Sequence, residues 1–289
     1  LPRIWDEPFA DSSQIPTLLV SKLARAHVTV ALVGDGGDEV FAGYPRYQGG
    51  RWARVYRRLP AWLRCSVVAP LAEHIPESRR GFHGLRRARE FLTGANRPDP
   101  EMYAGWVEYF APEERRRLLG LAANPARPIA ELYAEAPSPD PLDAMQQTDL
   151  LSFLPGNLLA YGDAMSMAHS LELRLPLLDH RVIEAIGGLA PDARVQGGLK
   201  AVLRAVARRL LPAEIAGAGK RGFNPPMGVW LDGALKDLIA ERLTPGSVAA
   251  MGLAWEPVAE LLALQARGGR DVALKVWALL ALDGWRRTT

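Results

Sequence analysis

The sequence predicts an α/β fold that is mostly helical, with a remnant of a parallel sheet near its start and a long helical region behind it. A β-branched apolar run at residues 28–33 suits a buried strand. It passes directly into a loop of glycines and carboxylates, and α/β folds place such loops at the carboxyl ends of strands. From Tyr44 onward, apolar residues recur at helical spacing between prolines and glycines, which predicts helices.

The first fifty residues are expected to hold one helix and one strand. Pro16 suits the first turn of a helix, and Leu19, Leu23 and Ala26 continue it at helical spacing up to His27. No other convincing strand follows 28–33, so the partners of this strand are expected to lie before Leu1. We therefore expect one incomplete domain, with residues 1–50 as the sheet remnant and 51–289 as the helical region.

The remaining elements are helices punctuated by proline. A proline-rich connector at 122–141 is expected to hold a short helix between its second and third prolines. Asp143 is predicted to cap the next helix, which should end before Pro155, and Asp163 and Asp179 are predicted to begin two more. The other predicted helices are 48–58, 60–73, 84–92, 100–109, 112–119, 200–210, 233–243, 256–266 and 270–285.

Composition excludes several classes of protein. The chain has 289 residues, of which 48% are hydrophobic and 23% charged, which argues against disorder. A single cysteine excludes an internal disulfide framework and fits a reducing compartment, so a cytoplasmic location is expected. The sequence contains no apolar run of membrane-spanning length, so no membrane association is expected.

The formal net charge of +3 is unevenly distributed. Residues 44–99 contain twelve arginines and four acidic residues, so nucleic-acid binding is one interpretation of this block. We favour an arginine-rich solvated helix face instead, because no nucleic-acid motif accompanies the charge. On that interpretation Trp52, Val55, Tyr56 and Leu59 form the apolar stripe of the helix.

The loop after the predicted strand carries the strongest chemical signal. Its six residues are Gly34, Asp35, Gly36, Gly37, Asp38 and Glu39. Glycines permit positive φ and close backbone approach, so amide N–H groups can point at an anion. Carboxylates repel anions unless a hard cation mediates, so the mixture predicts Mg²⁺ together with a phosphate group. A solvated acidic turn is the alternative interpretation.

Two later stretches add charged side chains. Glu172 and Arg174 stand in an otherwise apolar run, where charges are usually paired with each other or with a ligand. Lys220 precedes Arg221, a glycine and a double proline, which predicts a rigid exposed loop. A lysine in such a loop can serve as a point charge for phosphate or for a developing oxyanion.

Together these stretches resemble the synthetase domain of glutamine-dependent asparagine synthetases. The resemblance runs from Asp6 to Trp230 and is strongest in GDGGDEVFAGYPRY, in MSMAHSLELRLPLLDH and in Lys220-x-Gly-Phe-x-x-Pro. It implies a partial adenine-nucleotide-hydrolase-like sheet, of the PP-loop, Rossmann-like type, followed by a helical region. It also implies ATP, aspartate and ammonia from glutamine as substrates, with Mg²⁺ as the cofactor.

The resemblance assigns roles to residues of this chain. The Val33-Gly34 backbone is expected to contact the adenylate, and Asp38, with a weaker contribution from Asp35, to handle Mg²⁺ and pyrophosphate. Glu39 is expected to be a supporting or substrate-facing carboxylate, and Lys220 to stabilise charge on the α-phosphate. Gly36 and Gly37 are further candidates for contacts with pyrophosphate. The candidates on the substrate side are Asp163, Glu172 and Arg174.

The sequence departs from the family at several points. Val33 stands where the family usually has serine, Asn157 where many members have a carboxylate, and Ala164 where many have a basic residue. The pyrophosphate loop Ser-Gly-Gly-x-Asp-Ser and the amino-terminal glutaminase domain are not found, since Cys65 is internal. The resemblance therefore identifies this chain as a carboxyl-terminal part of the synthetase domain. We expect the chain to be inactive by itself.

Three alternatives stay open at this stage. A related amidotransferase could act on another carboxylate, for example in surface-polysaccharide biosynthesis. A non-enzymatic basic helical protein could bind nucleic acid through the arginine block, although we expect no nucleic-acid partner. An inactive relative could keep the fold for interaction only, with Val33 and Asn157 as its main support. A homodimer is compatible with each of these interpretations.

Overall fold

The computed structural model describes residues 1–73, 83–217, 225–268 and 271–288. Helices account for most of them, and a small parallel sheet is present, so the predicted α/β, mostly helical class is confirmed. The chain forms two compact units that alternate along the sequence. The first unit contains Leu1–Ile15, Arg57–Pro128 and Asn224–Thr289, and the second contains Pro16–Tyr56 and Ile129–Phe223. The division at residue 50 stays a prediction.

The helices and strands of the described residues have the following bounds. The strands are β1 (Val30–Leu32) and β2 (Glu172–Arg174). The helices up to the connector are α1 (Gln14–Arg25), α2 (Gly37–Val40), α3 (Pro45–Tyr56), α4 (Ala61–Leu63), α5 (Ala69–Glu73), α6 (His83–Gly94), α7 (Asp99–Val107) and α8 (Pro112–Leu119). Those that follow are α9 (Pro128–Ala134), α10 (Pro141–Leu151), α11 (Ala160–Met167), α12 (His180–Gly187), α13 (Pro191–Val195), α14 (Ala201–Leu210), α15 (Ala213–Ala216), α16 (Met227–Asp232), α17 (Lys236–Arg242), α18 (Pro245–Ala250), α19 (Trp255–Arg267) and α20 (Ala273–Arg286). Arg64–Val68 and Leu154–Leu159 are π-helical, and Pro2–Ile4 and Pro176–Leu178 are 3₁₀ turns.

The sheet of the second unit consists of two parallel strands. Val30 pairs with Glu172 and Leu32 with Arg174, so β1 has a partner that comes later in the chain. The prediction that no other strand follows was therefore wrong. A three-residue strand with charged side chains at both ends has no apolar periodicity to reveal it. The predicted strand at 28–33 is present in shortened form as β1.

The first unit is held together by an apolar core. Helices α8, α16, α18, α19 and α20 contribute Leu118, Leu231, Val248, Val258 and Val276, which are all buried. Ala254 N–H donates to the Leu118 carbonyl at 2.8 Å and so joins the end of α8 to the start of α19. This unit therefore follows the ordinary rule of amphipathic helices packed around a shared apolar interior.

Two predicted helix caps were wrong. Asp140, not Asp143, caps α10 by accepting from Leu142 N–H at 2.9 Å, because Pro141 occupies the first helical position. Asp163 lies inside α11, since the π-helical segment leads into this helix without a break. The predicted cap at Asp179 is confirmed, because its carboxylate accepts from Arg181 N–H at 2.9 Å.

The predicted solvated arginine face is confirmed at Arg51, Arg54 and Arg58, which are exposed, but the predicted apolar stripe was wrong. Trp52 is 64% exposed, and Val55 and Leu59 are exposed as well. Two of the arginines also contact acceptors: Arg51 lies 2.6 Å from Asp192, and Arg57 donates to the Ala95 carbonyl at 2.7 Å. Helical spacing identifies two faces but does not decide which of them packs inward.

None of the helices in the described parts of the chain is both long and apolar enough to cross a membrane.

Candidate functional site

The loop between β1 and α2 forms one side of an open site in the second unit. Gly36 has φ 82°, and a Cβ there would overlap the Leu178 side chain, so glycine is required at this position. A Cβ on Gly34 would meet no atom within 4 Å. The backbone at Val33 and Gly34 is therefore approachable, while Gly36 turns the chain into α2.

Asp35 of this loop and Asp38 of α2 lie close enough to affect each other. Partial burial, and then the nearby charge of Asp38, raise the pKa of Asp35 above its usual range. The Asp38 carboxylate is 3.2 Å from the Nζ of Lys200. Asp35 and Asp38 therefore place two carboxylates close together, and the ammonium group of Lys200 balances the charge of Asp38.

Lys200 reaches Asp38 from an unusual backbone conformation. Its φ of 55° lies in the left-handed region, immediately before α14. A Cβ on Gly43 would overlap both the Asp38 carboxylate and the Lys200 side chain, so this glycine leaves room for their contact. Lys200 N–H also faces the Ala42 carbonyl at 3.4 Å. The half-buried ion pair thus lies close to the backbone of the segment around Gly43.

The donor set suits Mg²⁺ held jointly with a phosphate. Asp35 and Asp38 offer carboxylate oxygens, which are the ligands that Mg²⁺ prefers, and a cation would relieve the repulsion between them. In the described parts of the chain, no group of three or more His, Cys, Asp or Glu side chains is placed to hold a metal ion. Two carboxylates plus substrate phosphate oxygens are a usual form of Mg²⁺ site.

Glu39 points into the protein. It is 1% exposed, and the Tyr44 hydroxyl donates to its Oε1 at 2.6 Å. Burial raises the pKa of Glu39, although the Tyr44 hydrogen bond lowers it in part. Burial and the neighbouring Glu39 also raise the pKa of the Tyr44 hydroxyl, so that hydroxyl stays a donor. This geometry suits a supporting role better than direct contact with a substrate.

A second buried carboxylate lies behind Glu39. Asp149 on α10 accepts from the Tyr47 hydroxyl at 2.5 Å and from Arg46 Nη2 at 2.8 Å. The Arg46 guanidinium in turn lies over the Tyr44 ring, 3.8 Å from its centroid. These contacts join the segment after α2 to α10 and hold the Tyr44 side chain next to Glu39.

A cavity of about 300 Å³ adjoins Lys200 in the same unit. Lys200 and Arg204 contribute its positive charges, and Gly43, Leu203 and Ile215 line it as well. A basic cavity beside a glycine-rich loop is suited to an anionic group.

The other predicted residues lie in several places. Val33 N–H donates to the Arg174 carbonyl at 2.9 Å, so β2 holds the start of the loop. Arg174 and Glu172 pair with each other at 2.8 Å and are both exposed, as is Asp163. Lys220 lies outside the described residues.

Sequence reasoning missed Lys200 and Gln146. The sequence predicts Lys200 only as the start of a basic helix, although Gly197-Gly198 two positions before it are a signal for an unusual turn. Gln146, in the middle of α10, donates to two backbone carbonyls of α2. Nothing in the sequence indicates that contact, because the two partners are more than one hundred positions apart.

These features define a class of site. Glycine-rich loops at the carboxyl ends of parallel strands are a common place for α/β proteins to bind phosphate-bearing ligands, and the loop after β1 is of that kind. The chain belongs to the asparagine synthase family, because the family model matches residues 1–287. The resemblance inferred from the three motifs is therefore confirmed.

Curated relatives agree with this assignment. The chain is 29% identical over 293 residues to asparagine synthetase [glutamine-hydrolyzing] 1 of Bacillus subtilis, covering 99% of this chain and 45% of that protein. It is 32% identical over 292 residues to a putative asparagine synthetase [glutamine-hydrolyzing] of Mycobacterium tuberculosis, covering 99% and 44%. Amidase chry2 of Gibberella zeae is 20% identical over 273 residues, covering 85% and 39%. The chain spans less than half the length of these relatives.

Proposed function

We propose that the protein containing this chain is an ATP-dependent, amide-forming ligase of the glutamine-hydrolysing asparagine synthase type. It would convert aspartate, ATP and ammonia from glutamine into asparagine, AMP and pyrophosphate. The observation that carries the proposal is the Asp38–Lys200 pair at 3.2 Å, set in a glycine-rich loop at the carboxyl end of β1. A reducing, cytoplasmic location is part of the proposal.

The proposed reaction has two steps. The side-chain carboxylate of aspartate attacks the α-phosphorus of ATP, and pyrophosphate leaves, which gives β-aspartyl-AMP. Ammonia then attacks the acyl carbon, and AMP leaves as the amide forms. Both steps develop negative charge on phosphate oxygens, so preorganised positive groups close to those oxygens lower the barrier.

The residues of this chain are assigned to those requirements. The open backbone at Val33 and Gly34 would receive the adenylate. Asp38, together with Asp35, would hold Mg²⁺, which supplies charge neutralisation on pyrophosphate when bound. Lys200 is close enough to Asp38 to contact the same pyrophosphate. Lys220 would serve the α-phosphate, as the resemblance implies.

A product assay tests the proposed function. The full-length protein is incubated with ATP, glutamine and aspartate, and asparagine, AMP and pyrophosphate are measured. All three are expected in equal amounts. AMP formation with another carboxylic acid, and no asparagine with aspartate, would replace aspartate by a different acceptor. The 20% identity to a protein named amidase makes that second outcome worth testing directly.

Lys220→Ala separates an active enzyme from an inactive relative. Loss of one electrostatic contact to the transition state is expected to lower turnover by about 10²–10³-fold. Arg221→Ala, at the neighbouring basic residue, is the matched control and should change turnover little. Equal turnover in the Lys220→Ala variant and the wild type would contradict the assigned role.

The chain by itself is proposed to be inactive, and ATP–pyrophosphate exchange tests this. Exchange by the 289-residue chain is expected at background level. Exchange above background would show that these residues suffice for adenylation. We do not extend the proposal to nucleic acid, since arginines 46, 51 and 57 of the basic block bind carboxylates or carbonyls.

A further inference from the structure

Helix α2 carries Asp38 and Glu39 but is only four residues long. A single turn of helix leaves its last carbonyls without partners in the same helix. Gln146 supplies a donor to two of them, because its Nε2 lies 2.6 Å from the Glu39 carbonyl oxygen and 3.0 Å from that of Val40. Gln146 is 4% exposed, so water does not compete for these carbonyls.

Arg194 fixes the orientation of the Gln146 amide. Its Nη1 donates to Gln146 Oε1 at 2.7 Å, which requires the amide oxygen to face α13 and the NH₂ group to face α2. Arg194 is 5% exposed, and its Nη2 donates to Asp143. Asp143 also accepts from the Ser138 hydroxyl at 2.7 Å. The donor side of the amide is therefore held towards the loop by a buried, charge-balanced chain of contacts.

We propose that Gln146 and Arg194 are positioning residues that hold α2, and with it the Asp38 carboxylate, in the geometry needed for pyrophosphate. This inference rests on the proposed function for its consequence in catalysis. Neither side chain is assigned to contact a substrate. The physical basis is that a helix of one turn cannot hold its own geometry, so contacts from α10 must do so.

Amide hydrogen exchange on the full-length protein tests the positioning directly. The informative amides are Val40, bonded to the Gly36 carbonyl at 2.9 Å, and Gly43, bonded to that of Asp38 at 2.7 Å. Gln146→Glu keeps an acceptor for Arg194 but removes both donors. It is expected to accelerate exchange at these two amides by about tenfold. Ala168, whose N–H bonds to the Ala164 carbonyl in the same unit, should change less than about twofold.

Three further variants keep the test decisive. Gln146→Met removes the donors without adding charge and should act in the same direction, so the test survives if Gln146→Glu fails to fold. Gln147→Glu makes the same change at the half-buried neighbouring residue and should leave exchange at Val40 unaltered. Arg194→Lys keeps one donor, so its effect should be smaller than that of Gln146→Met.

The outcomes separate positioning from general stability. Equal acceleration at Val40, Gly43 and Ala168 would mean that Gln146 only stabilises the unit as a whole. Unchanged exchange at Val40 and Gly43 would mean that α2 does not depend on Gln146. Either result overturns the proposal.

Kinetics of the full-length protein test the consequence for catalysis. Gln146→Glu is expected to lower kcat for ATP–pyrophosphate exchange by about tenfold, while KM for ATP changes by less than about threefold, because small misplacements affect reaction more than binding. If the wild type shows no exchange, the proposed function fails, and hydrogen exchange still decides the positioning role. If the wild type is active and Gln146→Glu has the same kcat, the inference alone fails.

Discussion

The apolar core of the first unit and the loop site of the second unit bury different kinds of side chain. In the first unit Leu231, Val258 and Val276 pack into an apolar core with no polar partner to satisfy. In the second unit Glu39 and Asp149 are as deeply buried, and each needs specific donors. Apolar burial is non-directional and tolerates small shifts, whereas a buried carboxylate loses its stabilisation when one partner moves. We therefore expect the loop of the second unit to be held in a more fixed geometry, and to be more sensitive to mutation, than the apolar core of the first unit.

The largest expected effect comes from removing a buried charge in the second unit. Asp149→Leu removes the buried carboxylate that accepts from Arg46 and from Tyr47, so it should lower the free energy of unfolding by about 3–5 kcal/mol. Segment-resolved hydrogen exchange would locate the loss in the second unit. Asp149→Asn keeps an acceptor for Tyr47 and should cost less. A smaller loss in the leucine variant than in the asparagine variant would contradict the comparison.

Creating a cavity in the core of the first unit should lower the free energy of unfolding somewhat less than removing Asp149. Leu231 is 1% exposed, and Leu231→Ala is expected to lower the free energy of unfolding by about 3 kcal/mol through lost burial and the void left behind. Leu119→Ala, at an exposed leucine, is the matched control and should have little effect. Urea denaturation measures both. If the two variants lose the same stability, the first unit does not depend on its apolar core in the manner described.

The pH dependence of Glu39→Gln sharpens the difference between the units. Because burial raises the pKa of Glu39, the folded state binds more protons than the unfolded state just above the ordinary pKa of glutamate. Stability of the wild type therefore falls as pH rises through that window. The glutamine variant has no such loss, so its stability relative to the wild type should increase from pH 4.5 towards neutrality.

Glu260 in the first unit is the control, because its pKa is shifted in the opposite direction. The Arg117 hydrogen bond lowers the pKa of Glu260, so its contribution is present above the ordinary pKa and is lost as pH falls. Glu260→Gln should therefore lose stability relative to the wild type as pH rises. Thermal unfolding over a pH series measures both variants. Parallel pH profiles would contradict the assigned burial of Glu39.

The smallest expected effect is at the exposed pair on β2. Glu172→Gln removes a 2.8 Å contact with Arg174 between two exposed side chains, so it should change stability by less than about 1 kcal/mol. Thermal unfolding checks this. A fall in turnover of the full-length protein without a change in stability would instead support the role of Glu172 on the substrate side.

Structural features that depend only on neighbouring residues could be predicted from the sequence. The glycine and aspartate pattern of 34–39 predicted a turn after a strand, and Gly36 adopts the required positive φ. The helices 100–109 and 112–119 were predicted within two residues of α7 and α8, because proline and apolar spacing mark them locally. The short helix in the connector is present as α9.

Features that depend on distant partners could not be predicted. β2 becomes a strand only because β1 lies beside it, some 140 positions earlier in the chain. Trp52 is exposed although its spacing with Val55 and Leu59 resembles an apolar stripe, because helical spacing does not reveal which face packs inward. Helix caps fall between these cases, since Asp140-Pro141 is a local signal for the start of α10 but Asp143 is also a residue type that caps helices.

The left-handed backbone at Lys200 predicts which residues would replace this lysine during evolution. A side chain other than glycine in that conformation costs about 1 kcal/mol, so replacement by glycine would relax the backbone and delete the ammonium. Selection for stability and selection for charge thus favour different residues at this one position. In a lineage that had lost adenylation, glycine or asparagine should accumulate at position 200.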